Sequence, residues 1–529
     1  MSYESSGSSF KGTISARYDG RVAAFGECSA VCRRLKTPEP RDHNWGDKTA
    51  LQPGRWNLAM LEFESETSGA RFCDGITRRT WLSLGTLGTI GLSLPQWWTA
   101  RARGSESAAG VTTSGIKPTA RACIQIYLAG GPGQHETWDL KTDAPDRIRG
   151  EFRPIETSLA GFRICEHLPL MAQRAHLYTI IRSQTHTGVS HSTSMYHMLT
   201  GHIHSSPGSL RHPAKSDMPC VGSSAGRFLE HPPYLPPYVA MPLVVTEEDG
   251  LAIAGQDAGI LGESHAPFRV IGDLTRPDFR VGALELAQGL SRERLDRRVG
   301  LREAIDRQVE HLAQQPTGKA TDIAYERAVS LLASPQTEEA FDLSREPPAL
   351  RERYGDHHFA QALLLARRLV ERGVPFVTVY WASRFQSDNQ HWDTHFNQHV
   401  RMREHLLPPF DRAVSAFLDD MTDRGLLDET LVTWWGEFGR TPKINAQVGR
   451  DHWGFCQSVG LAGGGVKRGM VYGSSTKDGG YPDTNPVTPD DLTATIFRCL
   501  GIDHTQEMYD LAGRPVRLSY GEPVSQVVG

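Results

Sequence analysis

No apolar stretch of this 529-residue chain has the length of a membrane span, which takes ~20 consecutive residues as a helix. Basic charge is not in excess either. Lys and Arg number 57 against 61 Asp and Glu, a net charge of −4, so nothing electrostatic draws the chain to nucleic acid or to an acidic membrane. Cysteine is sparse. The eight residues at 28, 32, 73, 123, 165, 220, 456 and 499 include one close pair, Cys28 and Cys32, and a zinc knuckle needs a second. Five remain beyond residue 100, an odd number that argues against a complete disulfide framework. No Gly-Lys-Ser follows the glycines Gly130, Gly131 and Gly133, which removes the usual phosphate cradle of a nucleotide site. No internal repeat is present. An apolar fraction of 39% over this length still permits a large core.

The chain divides by composition. Residues 1–59 are polar and aperiodic and read as disordered or as an over-extended start, with Met60 an alternative first residue. Residues 60–110 hold Arg78-Arg79-Thr80-Trp81, a glycine-rich apolar core of about a dozen residues and a small-residue exit, the order of parts in a twin-arginine export signal. That predicts a periplasmic or cell-surface protein with no span in the mature chain. From 118 to 515 strands and helices alternate. Strands are expected at Cys123–Ala129, His176–Arg182, Pro375–Trp381 and Thr430–Trp435. Helices are expected from Ser192, over Leu290–Gln314, Asp356–Arg372 and Phe396–Arg424, and at Pro489–Leu500. The Pro- and His-rich stretch near 203–285 reads as an insertion over the site, and 516–529 as a tail. Alternation of this kind predicts an α/β fold, a three-layer α/β/α sandwich with a largely parallel sheet.

The densest chemistry lies at Thr430–Trp453. An apolar strand stops at Gly436, and Glu437, Arg440, Asp451 and His452 follow within sixteen residues. Open α/β sheets build their sites in such loops, at the carboxyl ends of strands. Asp393 and His395 add a second acid and imidazole, a donor set suited to a divalent metal. Each residue has a plainer reading. Asp393 can cap the next helix; Glu437 can pair with Arg440 or Arg450; Arg440 can instead grip an anionic substrate. Asp451 can orient His452 rather than bind metal. His191 stands at a helix start, either as a capping-loop residue or facing metal or substrate, with Ser192 a weaker nucleophile candidate. His135, Glu136 and Asp139 follow the glycine loop, Asp139 most simply as a partner of Lys141.

The motifs GGPGQHETWDLK, IIRSQTHTGVSH, MLTGH, WDTH, GLLDETLVTWWGEFGRTPKIN and GRDHW together resemble the exported family called domain of unknown function 1501, placed near the sulfatases in the alkaline-phosphatase superfamily. The resemblance spans roughly 75–515. It implies an α/β/α sandwich with metal at the strand carboxyl ends and hydrolysis of phosphate or sulfate esters. In the wider superfamily two ions grip the ester and a side chain at a helix start attacks it. Asp393, His395 and His452 resemble the ligands of one ion. The other ion's first-strand Asp is replaced by Gly130, and its Asp-His pair by Glu437 and Phe438. Counting back from Thr200-Gly201 puts His191 at the nucleophile's place. One divalent metal is therefore expected, zinc ahead of calcium or magnesium, on Asp393, His395 and His452, joined by Glu437 or Asp451. The partner expected is an anionic ester or glycan. Alternatives are a non-catalytic relative that binds an anionic glycan or a protein, and a structural surface protein.

Overall fold

The computed structural model describes residues 115–204, 212–247, 249–284, 328–381 and 391–529, with Arg294 and Arg297. The export motif and most of the helix expected over Leu290–Gln314 lie outside the described residues. Everything described belongs to one compact unit, Leu82–Gly529.

An eight-stranded sheet organises the unit. Its strands are β1 (Ala122–Leu128), β2 (Tyr178–Gln184), β3 (Tyr238–Met241), β4 (Phe268–Arg269), β5 (Phe376–Trp381), β6 (Thr430–Trp435), β7 (Gln457–Ala462) and β8 (Met470–Tyr472). The spatial order is β8-β2-β7-β6-β1-β5-β3-β4. Only β7 runs against its neighbours. β1 sits between β5 and β6, with Ile126 beside Val379 and Trp434. All of β1, β5 and β6 is buried, which is why these strands read as continuous apolar runs instead of alternating ones.

Alternate residues of β1 enter different cores. Ile124, Ile126 and Leu128 pack with Leu363 and Phe410 from α2 (His358–Glu371) and α3 (Leu407–Asp423). Cys123 and Tyr127 pack with Met195 and Ile496 from α1 (His191–Thr200) and α4 (Pro489–Cys499). Helices therefore cover both faces, and the fold is the expected three-layer α/β/α sandwich. Local chemistry sets the helix starts. Thr488 and Asp491 cap α4 reciprocally ahead of Pro489, whose fixed φ and missing N–H suit a first turn.

Three expectations need correction. The long helix from 396 is broken into Gln398–Arg401, a wide π turn at Met402–Leu406, and α3; Pro408 and Pro409 have no N–H to continue the α-helical ladder. The stretch near 203–285 is not merely an insertion, because it supplies β3 and β4 to the main sheet. Residues 516–529 are not a loose tail. Val527 is fully buried and its carbonyl accepts a bond from Lys467 N–H at 2.8 Å.

Candidate metal centre

Four parallel strands, β1, β2, β5 and β6, end on one edge of the sheet, and the chain leaving each enters the same place. Gly130 follows β1 with φ +108°. A Cβ there would stand 2.3 Å from the backbone nitrogen of Asp393, so the segment after β5 presses against bare backbone. His191 opens α1, which follows β2. Glu437 lies two residues beyond β6 and is 2% exposed. Residues Gly439–Arg440 then pair antiparallel with His452–Trp453, and this reversal returns His452 to the edge that Glu437 left.

Three imidazoles converge on Asp393, each held from behind. His191 Nδ1 lies 2.5 Å from Glu437 Oε1, His395 Nδ1 2.9 Å from Asp451 Oδ1, and His452 Nδ1 2.9 Å from the Val189 carbonyl. Each imidazole thus has an oxygen at Nδ1 and turns Nε2 toward Asp393. His191 Nε2 is 3.4 Å from Asp393 Oδ2, while His395 and His452 Nε2 are each 3.1 Å from Oδ1. Among the described residues, His191, Asp393 and His452 offer ligand atoms that all lie within 4.8 Å of one another. His395 adjoins them, its Nε2 2.9 Å from that of His452. A tetrahedral ion with bonds of ~2.0–2.1 Å separates its ligand atoms by about 3.3 Å, close to these spacings. Imidazole nitrogens with one carboxylate suit zinc better than the all-oxygen cages of calcium or magnesium.

Electrostatics favour an anion at Asp393. Burial opposes its charge, but the Arg440 guanidinium and the three imidazoles hold its carboxyl far below the usual carboxylate range. Burial also opposes a charged His191, yet bonds to Asp393 and Glu437 push it up to about 9. His395 is raised chiefly by its bond to Asp393. His452 is lowered, first by burial and then by Arg440 and His191, against the pull of Asp393. Protons held on His191 and His395 therefore compete with any cation at this carboxylate.

Several residues have roles other than those expected. Arg440 is not a substrate contact. It is fully buried, with Nε on the Gly131 carbonyl at 2.9 Å, Nη1 on the Arg450 carbonyl at 3.1 Å and Nη2 on Asp393 at 2.5 Å. Glu437 makes no ion pair with Arg440 or Arg450. Its Oε1 accepts from Gly130 N–H at 2.8 Å as well as from His191, so it backs a candidate ligand instead of being one. Asp451 orients His395, not His452. His191 has Nδ1 on Glu437 and Nε2 toward Asp393, an arrangement that serves a ligand and an attacking imidazole alike. The Ser192 hydroxyl donates to Glu247. Of the glycine-loop residues, Glu136 pairs with buried Arg450 at 2.6 Å, Asp139 with Lys141 at 2.9 Å, and His135 bonds the Asp478 carbonyl at 2.7 Å; none reaches the cluster.

Sequence reasoning missed two contributors, His186 and Asn445, and met a third, Phe438, only as a departure from the superfamily pattern. His186 bonds the Glu437 carbonyl at 2.6 Å. Asn445 bonds the His395 carbonyl at 3.0 Å and Asp451 at 3.1 Å. Phe438 lays its ring 4.4 Å from the His452 centroid and 5.0 Å from that of His191, an apolar wall where the superfamily pattern has a histidine. His186 and Asn445 lie inside the motifs quoted above, which was the available signal.

Solved structures with similar folds include the PsFucS1 sulfatase from Pseudoalteromonas sp., at 13% identity over 79% of this chain and 79% of that one, with a TM-score of 0.31. The phosphonate monoester hydrolase SpPMH from Silicibacter pomeroyi aligns at 13% identity over 76% of each chain, TM-score 0.30. The lipoteichoic acid synthase LtaP from Listeria monocytogenes aligns at 9% identity over 76% of this chain and 78% of that one, TM-score 0.31. No curated protein matches the sequence. Family membership comes from the sequence itself: the family described as "Protein of unknown function (DUF1501)" matches residues 120–528, and the chain belongs to it.

Proposed function

We propose that this protein is an exported, single-metal hydrolase of phosphate or sulfate esters, acting on an anionic ester or glycan. One observation carries the reading: three imidazoles, each tied to an oxygen at Nδ1, aim Nε2 at one carboxylate. His191, Asp393 and His452 would hold the ion, with His395 as the adjoining fourth group. A zinc ion in such a site supplies Lewis acidity toward an ester oxygen and toward water.

The chain's own groups prepare the rest. Arg440 keeps Asp393 ionised and fixed. Glu437, Asp451 and the Val189 carbonyl each engage an Nδ1, which would free Nε2 for an ion and sharpen ligand geometry. The first turn of α1 brings its free amides to the same edge, a natural seat for an anionic ester. Phe438 walls off one side from water. Export rests on Arg78-Arg79 alone. No helix among the described residues is long and apolar enough to cross a membrane.

The test is metal content with turnover. Purified protein should bind one zinc per chain and cleave an aryl phosphate or sulfate. Asp393→Ala and His452→Ala should each abolish stoichiometric zinc and lower activity at least a hundredfold. Wild-type protein that takes up no metal and melts like both variants would end the hydrolase reading.

A further inference from the structure

Tyr127 is an odd residue for its place. It lies in the central strand β1, fully buried, with its ring in the core shared with α1 and α4. A Phe would fill that space without a polar atom. Burying a hydroxyl that finds no partner costs about 1–3 kcal/mol, so a phenol here asks for an explanation.

The carboxylate above it has the complementary deficit. Oε1 of Glu437 accepts from Gly130 N–H at 2.8 Å and from His191 Nδ1 at 2.5 Å. Its other oxygen, Oε2, is buried and meets no donor in full hydrogen-bond geometry among the described residues, and the Tyr127 hydroxyl likewise meets no acceptor. Yet the Glu437 carboxylate is near enough to act on the phenol as an acceptor. The backbone brings the two together. Tyr127 is in register with Trp435, two residues before Glu437. Gly130, which holds Oε1, is three residues beyond Tyr127. After burial, the Glu437 charge is the largest influence that keeps the Tyr127 proton in place.

We infer that Tyr127 is a positioning residue that donates its hydroxyl proton to Glu437 Oε2 and so fixes the carboxylate that aims His191 at the metal site. The chain of command is Tyr127 to Glu437 to His191 Nδ1, leaving His191 Nε2 for the cation. Gly130 N–H alone allows the carboxylate to pivot about Oε1. A second donor on Oε2 removes that freedom. The inference extends the proposed metal site, but its geometric half concerns the metal-free protein too.

Tyr127→Phe and Tyr380→Phe make the test. Tyr380 is the in-register neighbour, with ring centroids 5.8 Å apart and an equally buried, unbonded hydroxyl, so it controls for the loss of any core phenol. In metal-free protein, proton NMR of ¹⁵N-His-labelled samples should show a slowly exchanging His191 Nδ1–H in wild type and in Tyr380→Phe, and an exchange-broadened one in Tyr127→Phe. Zinc titration should show about tenfold weaker binding for Tyr127→Phe and none of that loss for Tyr380→Phe. A sharp Nδ1–H in Tyr127→Phe overturns the inference, whether or not the protein binds zinc. If wild type shows the resonance but binds no zinc, the positioning stands and the metal reading fails. Equal losses in both variants would mean generic core damage and would also overturn it.

Discussion

Gly130 shows how one residue can decide the character of a site. Its φ of +108° already disfavours a side chain, and the three nearest atoms to an added Cβ, at 2.3, 2.7 and 2.9 Å, all belong to the Trp392–Asp393 backbone. Flexible side chains can move aside from such an intrusion, but backbone cannot. A carboxylate at this position and Asp393 at its present one are therefore mutually exclusive. Gly130→Ala should cost about 3 kcal/mol and, at the proposed zinc site, weaken metal uptake by displacing Asp393. Gly161→Ala separates the two causes. Gly161 has φ +78° and open space around its Cβ, so that variant carries backbone strain alone, about 1 kcal/mol. Thermal unfolding of the pair should show a clear excess for Gly130→Ala, and equal shifts would mean that close packing at Gly130 contributes nothing.

At the scale of elements, legibility followed burial on both faces. β1, β5 and β6 carry uninterrupted apolar runs because helices cover each side, and their positions were plain in the sequence. β3 was hidden in a proline-rich stretch, where the apolar Tyr238–Met241 gave four residues of signal. β7 was hidden by Gly460, whose missing side chain admits the Trp434 indole; a strand glycine reads as a breaker when its partner cannot be seen. Asp393, His395 and His452 were legible as chemistry because polar groups cluster after strands. Which acid serves which imidazole was not, since Asp451 and Glu437 reach partners 56 and 246 residues away. The helical layer holds a further bond set, of which only the i,i+4 pair Arg367–Glu371 is announced by spacing. Arg367 of α2, 1% exposed, pairs with Glu346 at 2.7 Å, Glu371 at 2.7 Å and Asp420 of α3 at 2.9 Å. Arg367→Met should destabilise by about 1–3 kcal/mol through its lost charged hydrogen bonds, since Glu346 keeps Arg368 at 2.7 Å and Asp420 and Glu371 keep Arg424 at 2.7 and 2.8 Å. Denaturant unfolding measures this, and a change below about 1 kcal/mol would mean that water already screens the network.

Across the whole molecule, one buried acid ties the seating of a short helix on α3 to pH. Asp411 of α3 accepts from the amides of Leu170 and Met171 at 2.9 and 2.7 Å, at the start of the short helix Pro169–Gln173. Burial raises its carboxyl to about 6, and the two amides and Arg174 offset only part of that. A folded-state value above the unfolded one means the native protein holds a proton that the unfolded chain has released. Stability from this group is therefore greatest below about pH 4, falls as pH rises through the window to about 6, and levels off beyond it. The full swing corresponds to about 3 kcal/mol. Asp411→Asn cannot titrate, so its stability relative to wild type should climb across pH 4 to 7 by up to that amount. The climb sits on a constant loss from the weaker amide acceptor. The opposite group, Glu346, is held below its ordinary value against its burial, by Arg367 and Arg368, and it contributes equally to both proteins, so the difference between their curves isolates Asp411. Parallel stability curves from pH 4 to 7 would show that Asp411 is ionised throughout, its charge fully met by the helix amides.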